Sequence, residues 1–491
     1  MTIPFNDMPA NFRLPGGFIE ISNLLASQGQ QEFKVLVLGQ RLAAGTVAAA
    51  TPVQVTNATD ADLFFGRGSM LANMLRAAIN VDPYMSLWAI ALDDDAAGAQ
   101  AAGSLAITGT ATAAGTLVVY IGGQAVKVGV ALGDTAAVIA TNTAAAITAL
   151  TSLDVTAVVD AVTTSQVNLT ARHKGEAGNG IDVRLSYYGE ATPAGVAVAI
   201  TAMSGGATNP DISAALAAIG ADWYNWMVMP YHDTANVVAL EAELGTLWGP
   251  TVQRDARAFG AFNGNHAATA TFGGTRNSPH ITWLGANSAP QPVWVLAAIN
   301  AMTAANPLAL DPARPLHTLP LKGMMAPARI DRWDDTDRNL LLFDGIATYT
   351  VGADGTCRIE RQITSYQTNV AGLSDVSYLD INRPETLSRI RYAQRSAIAN
   401  KFIAGRYKLS SDNNARFGAG QPILTPDLVK AWLLALYADF IETLGWCQDA
   451  AGYKATVVVE IDTANGRINW KDEPRLIGQA RTFAGLMEFH I

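Results

Sequence analysis

Cysteine is almost missing from this 491-residue chain: there are two, Cys357 and Cys447, with no CxxC spacing and no histidines clustered beside them. A disulfide scaffold and a zinc site are both disfavoured, and two buried free thiols are expected. Charge is scarce as well, at 15% against 49% hydrophobic residues, yet no run of eighteen apolar residues offers a bilayer span. A soluble protein with no direct membrane insertion is therefore expected. The start, MTIPFNDMPANFRLPGG, has neither a basic region nor an apolar core, so no secretory signal is visible and a product made in the cytoplasm is expected. The net charge of −9 argues against direct nucleic-acid binding, which needs a basic face.

Catalytic signatures are missing too. There is no GxSxG elbow, Walker loop or HExxH pair. The histidines, His173, His232, His266, His280, His317 and His490, are dispersed. Tyr231-His232-Asp233 follows a predicted strand, where α/β enzymes place active sites, so a Ser/His/Asp triad assembled by folding stays open. Gly66-Arg67-Gly68-Ser69 at a helix start could cradle a phosphate, but it lacks the third glycine of the dinucleotide fingerprint, and close packing is the better use. Asp93-Asp94-Asp95 reads as a solvated loop rather than a metal site, because adjacent side chains point different ways. No catalytic, cofactor or metal residue is assigned.

What the chain does have is strand character at its end. Residues 456–461 are a β-branched run, and Asn465-Gly466 then signals a hairpin. Farther on, Phe483, Gly485, Met487, Phe489 and Ile491 alternate with Thr482, Ala484, Leu486, Glu488 and His490. A terminal strand with an apolar face needs a sheet to join, either its own or a neighbour's.

Length allows two to four domains. Residues 1–30 hold Pro4, Pro9 and Pro15 with the strand-like FIEIS, and read as an extended arm. Strands are predicted over 33–38, 51–55 and 85–92, with a helix over 60–80. From 96 to 206 the composition turns to Ala, Thr, Gly and Val, with short strands around one helix at 135–150, a β-rich (α+β) domain inserted into a loop. Beyond it helices at 212–219, 234–248, 293–304 and 335–343 alternate with strands at 223–229, 258–262 and 280–284, and a hairpin turns at 353–355. Alternation of this kind marks an α/β core with a mixed, largely parallel sheet, running over 31–95 and again over 207–370. An α+β domain follows over 371–470 and an arm over 471–491. Its first helix starts at Pro384, and its second, 426–444, is capped by Thr425 and apolar nearly all round, so burial on more than one side is expected. From Val376 onward there are 14 basic and 12 acidic residues, leaving 19 and 30 before it. An acidic body and a mildly basic last third suit different partners.

In that last third, SYLDINRPETLSRIRYAQRSAIANKF, YKLSSDNNARFGAGQPILTPDLVKAWLLALYADFIETLGW and the closing PRLIGQARTFAGLMEFHI resemble the C-terminal region and terminal arm of contractile-tail sheath proteins of Mu-like phages. Upstream, RLPGGFIEIS, FFGRGSMLANM and GTLVVYIGGQAVKVGV with TARHKGEAGNGIDVRLSY resemble the N-terminal arm, a core piece and the inserted domain of that family. The resemblance implies a structural subunit without enzymatic activity or cofactor, forming stacked hexameric rings around a tail tube in the virion. It implies partners in other copies of itself, the tube protein, and baseplate and tail terminator proteins. Arm residues Phe18, Ile19, Ile21, Phe483, Met487, Phe489 and Ile491 would pair with adjacent subunits, and Lys430 is a candidate for the tube-facing surface. The rival readings are an α/β hydrolase-like enzyme with an accessory domain and the sheath of a tailocin or other contractile injection system.

Overall fold

The computed structural model describes residues 32–413, 417–418 and 420–490. The expected N-terminal arm, with Phe18, Ile19 and Ile21, lies outside these residues, as does Ile491.

Apolar, β-branched runs bounded by turn residues build an eight-stranded sheet. Its order is Cys357–Arg361, Ile346–Val351, Ile281–Gly285, Arg257–Phe262, Trp226–Val228, Lys34–Gln40, Ser86–Leu92 and Val53–Gln54. The six middle strands are parallel and each edge strand is antiparallel to its neighbour. Strands such as Lys34–Gln40 are buried along nearly their whole length, as a sheet covered on both faces requires. Helices Met70–Val81 and Val293–Leu310 pack against each other and onto the sheet. Val293–Leu310 is long and apolar enough to cross a membrane, but 72% of it is buried in the fold as a core helix.

The predicted helix over 60–80 is two helices, Ala58–Phe65 and Met70–Val81. Gly66 and Gly68 separate them at φ +82°, a conformation that costs glycine nothing and other residues strain. Ser69 then caps the second helix by accepting from Ala72 N at 3.1 Å. A Cβ on Gly68 would meet the Thr151 carbonyl oxygen at 2.3 Å, so the glycine serves close packing.

Between Ser86–Leu92 and Trp226–Val228 the chain forms two further antiparallel sheets. One runs in the order Val196–Ser204, Gln100–Gly109, Gln166–Lys174, Val155–Val159, the other Gln124–Val130, Gly115–Ile121, Val183–Leu185. Helix Ala136–Ala149 packs against strands of both. Their apolar residues are continuous with those of the central sheet, in one hydrophobic core. The 93–95 loop is not simply solvated, contrary to the expectation from sequence. Asp94 accepts from Gln40 Nε2 at 2.8 Å and Lys174 N at 3.0 Å, and meets His173 Nδ1 at 2.9 Å. His173 Nε2 in turn accepts from Met70 N at 3.1 Å. One carboxylate and one imidazole thus tie the outer strand Gln166–Lys174 to the central sheet and to a helix N-terminus.

After Arg361 the chain leaves the central sheet and builds helix Asn382–Ala397, which continues as a π-helical stretch Ile398–Ile403, then helices Pro426–Glu442 and Ala450–Thr456 and the hairpin Val458–Asp462 with Arg467–Lys471. These elements have a hydrophobic cluster of their own, around Leu433, Tyr437, Phe440 and Tyr453. Helix Pro426–Glu442 buries only Val429, Leu433, Tyr437 and Phe440, one stripe at i, i+4, i+8 and i+11. The expected burial on more than one side is therefore not met within a single chain.

A buried acid gives the joint with the outer sheets a pH dependence. Asp154 accepts from Asn73 Nδ2 at 2.8 Å, and burial pushes its carboxyl up to about 6, against the opposing pull of that amide, His173 and Arg172. The folded chain thus holds this proton more tightly than the unfolded chain does. Its stabilising contribution is full below the ordinary carboxylate value of 3.8 and is lost as pH rises through about 6. Urea unfolding of Asp154→Asn against wild type should show the variant gaining about 2 kcal/mol relative to wild type between pH 4 and pH 7. Parallel pH curves for the two proteins would contradict this.

Candidate functional site

The terminal segment is tied to its own body only part of the way. Leu476 bridges Cys447, Gln448 N donates to Arg475 O at 2.8 Å, and Ile477 N donates to Trp446 O at 3.0 Å. Tyr437 Oη accepts from Arg475 N at 3.0 Å and donates to Gln448 O at 2.7 Å. Gln479 Nε2 reaches Ala313 O at 2.9 Å, and Arg481 pairs with Asp380 at 3.1 Å. From Thr482 to His490 the chain forms no helix or strand and has no strand partner among the described residues. Phe483, Leu486, Met487 and Phe489 are 79–91% exposed. The expected arm over 471–491 therefore divides into a docked root and a tip that starts at Thr482. The tip's alternation is real in sequence, but no strand among the described residues takes it up.

The hairpin is the counterpart. Val458–Asp462 and Arg467–Lys471 pair antiparallel in register, closed by a turn in which Gly466 takes φ +63° and Asp462 Oδ1 accepts from Ala464 N and Asn465 N, both at 3.1 Å. It is a two-stranded sheet, so both outer edges present unpaired N–H and C=O groups. Two strands alone are marginal, and this pair rests on helix Pro426–Glu442. Beside it lies an apolar cavity of about 460 Å³, walled by Phe402, Tyr407, Trp432 and Trp470. Lys430 sits on the same helix, half-buried, one residue from the stripe that faces the core.

Helix Asn382–Ala397 joins this region to the central sheet through charge. Arg257, fully buried at the start of its strand, donates from Nη2 to Pro384 O at 2.7 Å and Ser388 Oγ at 2.8 Å, and its Nε lies 3.7 Å from Glu385. Arg391 pairs with Asp255 at 3.0 Å and donates to Trp248 O at 2.7 Å. The guanidinium groups of Arg257 and Arg391 lie 4.7 and 4.2 Å from the Trp248 ring centre. Arg389 donates to Ala309 O at 2.6 Å and covers Phe33 at 3.8 Å, and Arg395 donates to Gln253 O at 2.8 Å. Burial raises the Glu385 and Asp255 carboxyls, opposed by these arginines, while burial and the two guanidinium groups push His280 down to about 2 and keep it neutral. The run of arginines along this helix is visible in sequence; that three of them turn inward is not.

The residues that suggested chemistry do not converge. His232 is half-buried between Phe262 at 5.1 Å and Phe272 at 6.1 Å, and its buried Nδ1 has no partner among the described residues. Asp233 caps helix Thr234–Trp248 by accepting from Asn236 N at 3.1 Å. No relay links the two. Cys357 and Cys447 are both buried free thiols whose pKa burial raises to about 11, which leaves them unreactive.

Residues 205–365 match the family described as the phage tail sheath protein central domain. The whole chain is 41% identical to the Mu-like prophage FluMu tail sheath protein of Haemophilus influenzae over 493 residues, covering 100% of both. Among known structures, the sheath tail protein of Listeria innocua is similar at a TM-score of 0.50 and 12% identity, over 92% of this chain and 95% of that one, which shows a shared fold. The sheath tail protein of Desulfitobacterium hafniense is similar at a TM-score of 0.47 and 12% identity, over 95% and 100%.

The buried ion pair should behave as a unit. Arg257→Met leaves Glu385 without its partner inside the protein and should cost about 3–5 kcal/mol in urea unfolding, whereas Arg257→Met with Glu385→Leu should recover most of that loss. A double variant as unstable as the single one would show that the pair is not the joint.

Proposed function

This chain belongs to the tail sheath proteins of Mu-like phages, and from that membership we propose that it polymerises as stacked hexameric rings around the tail tube and contracts to drive the tube through the host envelope. It is a structural component of the phage tail and not an enzyme. The observation that carries the mechanical reading is the tip over 482–490, largely apolar, exposed and unpaired among the described residues, in a chain that also presents a two-stranded hairpin with open edges. Each satisfies what the other lacks, but only between copies: the tip of one subunit adds a strand to the hairpin of the next. The N-terminal segment, with Phe18, Ile19 and Ile21, is read as a second such strand.

Domain roles follow from this reading. Residues 31–95 and 207–370 form the rigid core, and 96–206 form an inserted domain that faces outward. Residues 371–470 face the tube, with Lys430 and the exposed side of helix Pro426–Glu442 as the candidate contact. Subunits assemble in an extended, metastable lattice and move as nearly rigid bodies into a wider, shorter one, while the exchanged strands act as tethers. The energy is stored at assembly, so no nucleotide is required. The tube protein, baseplate and tail terminator are the partners this mechanism needs.

Removing residues 482–491 tests the tether, because Arg481 and the docked root stay in place. Electron microscopy of the full chain should show tubular polysheaths, and the truncated chain should remain folded and fail to polymerise. Polysheaths formed equally well by the truncated chain would overturn the tether role.

A further inference from the structure

At the root of the arm, where the body ends its hold on the terminal segment, lies a cavity of about 410 Å³. Its wall carries three guanidinium groups, Arg361, Arg383 and Arg481, and a single carboxylate, Asp380. Arg361 donates to both oxygens of Asp380, at 3.0 and 3.3 Å, and Arg481 Nη2 lies 3.1 Å from the same group, so this one acid is shared. Arg383 donates to the Val376 carbonyl and lowers the Asp375 carboxyl by its charge, but forms no ion pair among the described residues. Arg481 Nε is buried and has no hydrogen-bond partner.

A second source of positive potential faces the same space. Asn382, Arg383 and Thr386 belong to the first turn and a half of the sixteen-residue helix Asn382–Ala397, and that helix N-terminus has no side-chain cap. Arg383 N is taken by the Asp380 carbonyl, Glu385 N by that of Ile381, and Pro384 has no N–H, so this helix start adds the positive end of its dipole and not a set of free donors. Burial lowers the Arg481 pKa, Asp380 opposes this, and Arg361 and Arg383 lower it further, as expected where cations outnumber their counter-charges.

We propose that this cavity is an oxyanion-binding site at the root of the terminal arm, taking a phosphate or carboxylate group between Arg383, Arg481 and the first turn of helix Asn382–Ala397. Planar guanidinium groups with free donors match the oxygens of such a ligand. Bound there, the anion neutralises the excess charge and fixes Arg481, and with it the direction in which the tip leaves the body. Two sources supply the same chemistry: an inorganic anion in solution, or an acidic side chain of an adjoining copy. The acidic first three-quarters of the chain makes the second source abundant in an assembly.

The test uses the intact, unassembled chain in sodium phosphate against sodium chloride at matched ionic strength. Phosphate should raise the melting temperature saturably and slow tryptic cleavage after Arg481 about fivefold or more, since a fixed backbone is a poor protease substrate. Arg383→Gln should weaken phosphate binding about tenfold, and Arg383→Lys should retain most of it. Equal behaviour of wild type in phosphate and chloride would overturn the site. Only the identity of the source rests on the sheath reading: loss of the phosphate response on polymerisation assigns the site to a neighbour's carboxylate, and persistence assigns it to a soluble anion. Because binding is measured before assembly, a failure to form polysheaths would leave this result standing.

Discussion

Unpaired backbone is the constraint on which this structure turns. Along residues 482–490 the chain joins no helix or sheet among the described residues and leaves four large apolar side chains exposed to water. In the body most backbone groups are paired in sheets and helices. Water can solvate the polar groups, but Phe483, Leu486, Met487 and Phe489 each forgo the ~1.5–3 kcal/mol that burial of such a side chain provides. A segment of this kind is a poor ending for a monomer and a good one for a subunit. The open-edged hairpin Val458–Asp462 with Arg467–Lys471 is the complementary half of the same constraint.

How the proposed tether would pull without tearing the subunit depends on the joint beneath it. The region after Arg361 has its own hydrophobic cluster, separate from the core that unites the central and outer sheets. Between the two lie buried, directional contacts instead of a continuous apolar interface: Arg257 to Pro384 and Ser388, Arg391 to Asp255, Arg389 to the end of helix Val293–Leu310. Apolar surfaces slide with little loss, whereas a buried guanidinium displaced from its carbonyl leaves an unpaired charge. The joint is therefore stiff because its partners are specific. A load on the hairpin would be passed through helix Asn382–Ala397 to the N-terminal ends of the parallel strands.

Much of this was legible in the chain. Helices Thr234–Trp248 and Asp335–Phe343, strand Ser86–Leu92 and the Asn465-Gly466 hairpin fall where periodicity and turn chemistry put them, because their local preferences and their burial agree. Misreadings came where tertiary contact decides. The helix over 60–80 reads as continuous, since nothing local reveals that the Thr151 carbonyl sits against Gly68. Helix His266–Gly274, rich in Thr and Gly, was missed because its weak propensity is overridden by packing against Asp335–Phe343. Asp94 looked like one of three loop carboxylates, and its partners Gln40, His173 and Lys174 come from strands up to eighty residues away. Helix Pro426–Glu442 reads as buried all round because composition counts apolar residues without showing which of them the fold covers.

That helix also shows how an incompletely covered apolar face and the arm belong to one design. Its apolar residues exceed what its own domain buries, and the arm's tip has the same excess. In the proposed lattice each surplus is covered by another molecule, and the two kinds of cover differ in consequence. Apolar contact at a helix face is non-directional and can be exchanged for a different contact when subunits rotate. Strand pairing is directional, and although each ladder bond contributes only about 0.5–1.5 kcal/mol net, a strand of several residues must lose them together. A sheath that changes its lattice while staying connected needs both: surfaces that can be traded, and edges that cannot. The docked root over 472–481 marks where one gives way to the other, since it holds the tether's origin to the body while leaving the tip free to follow its neighbour.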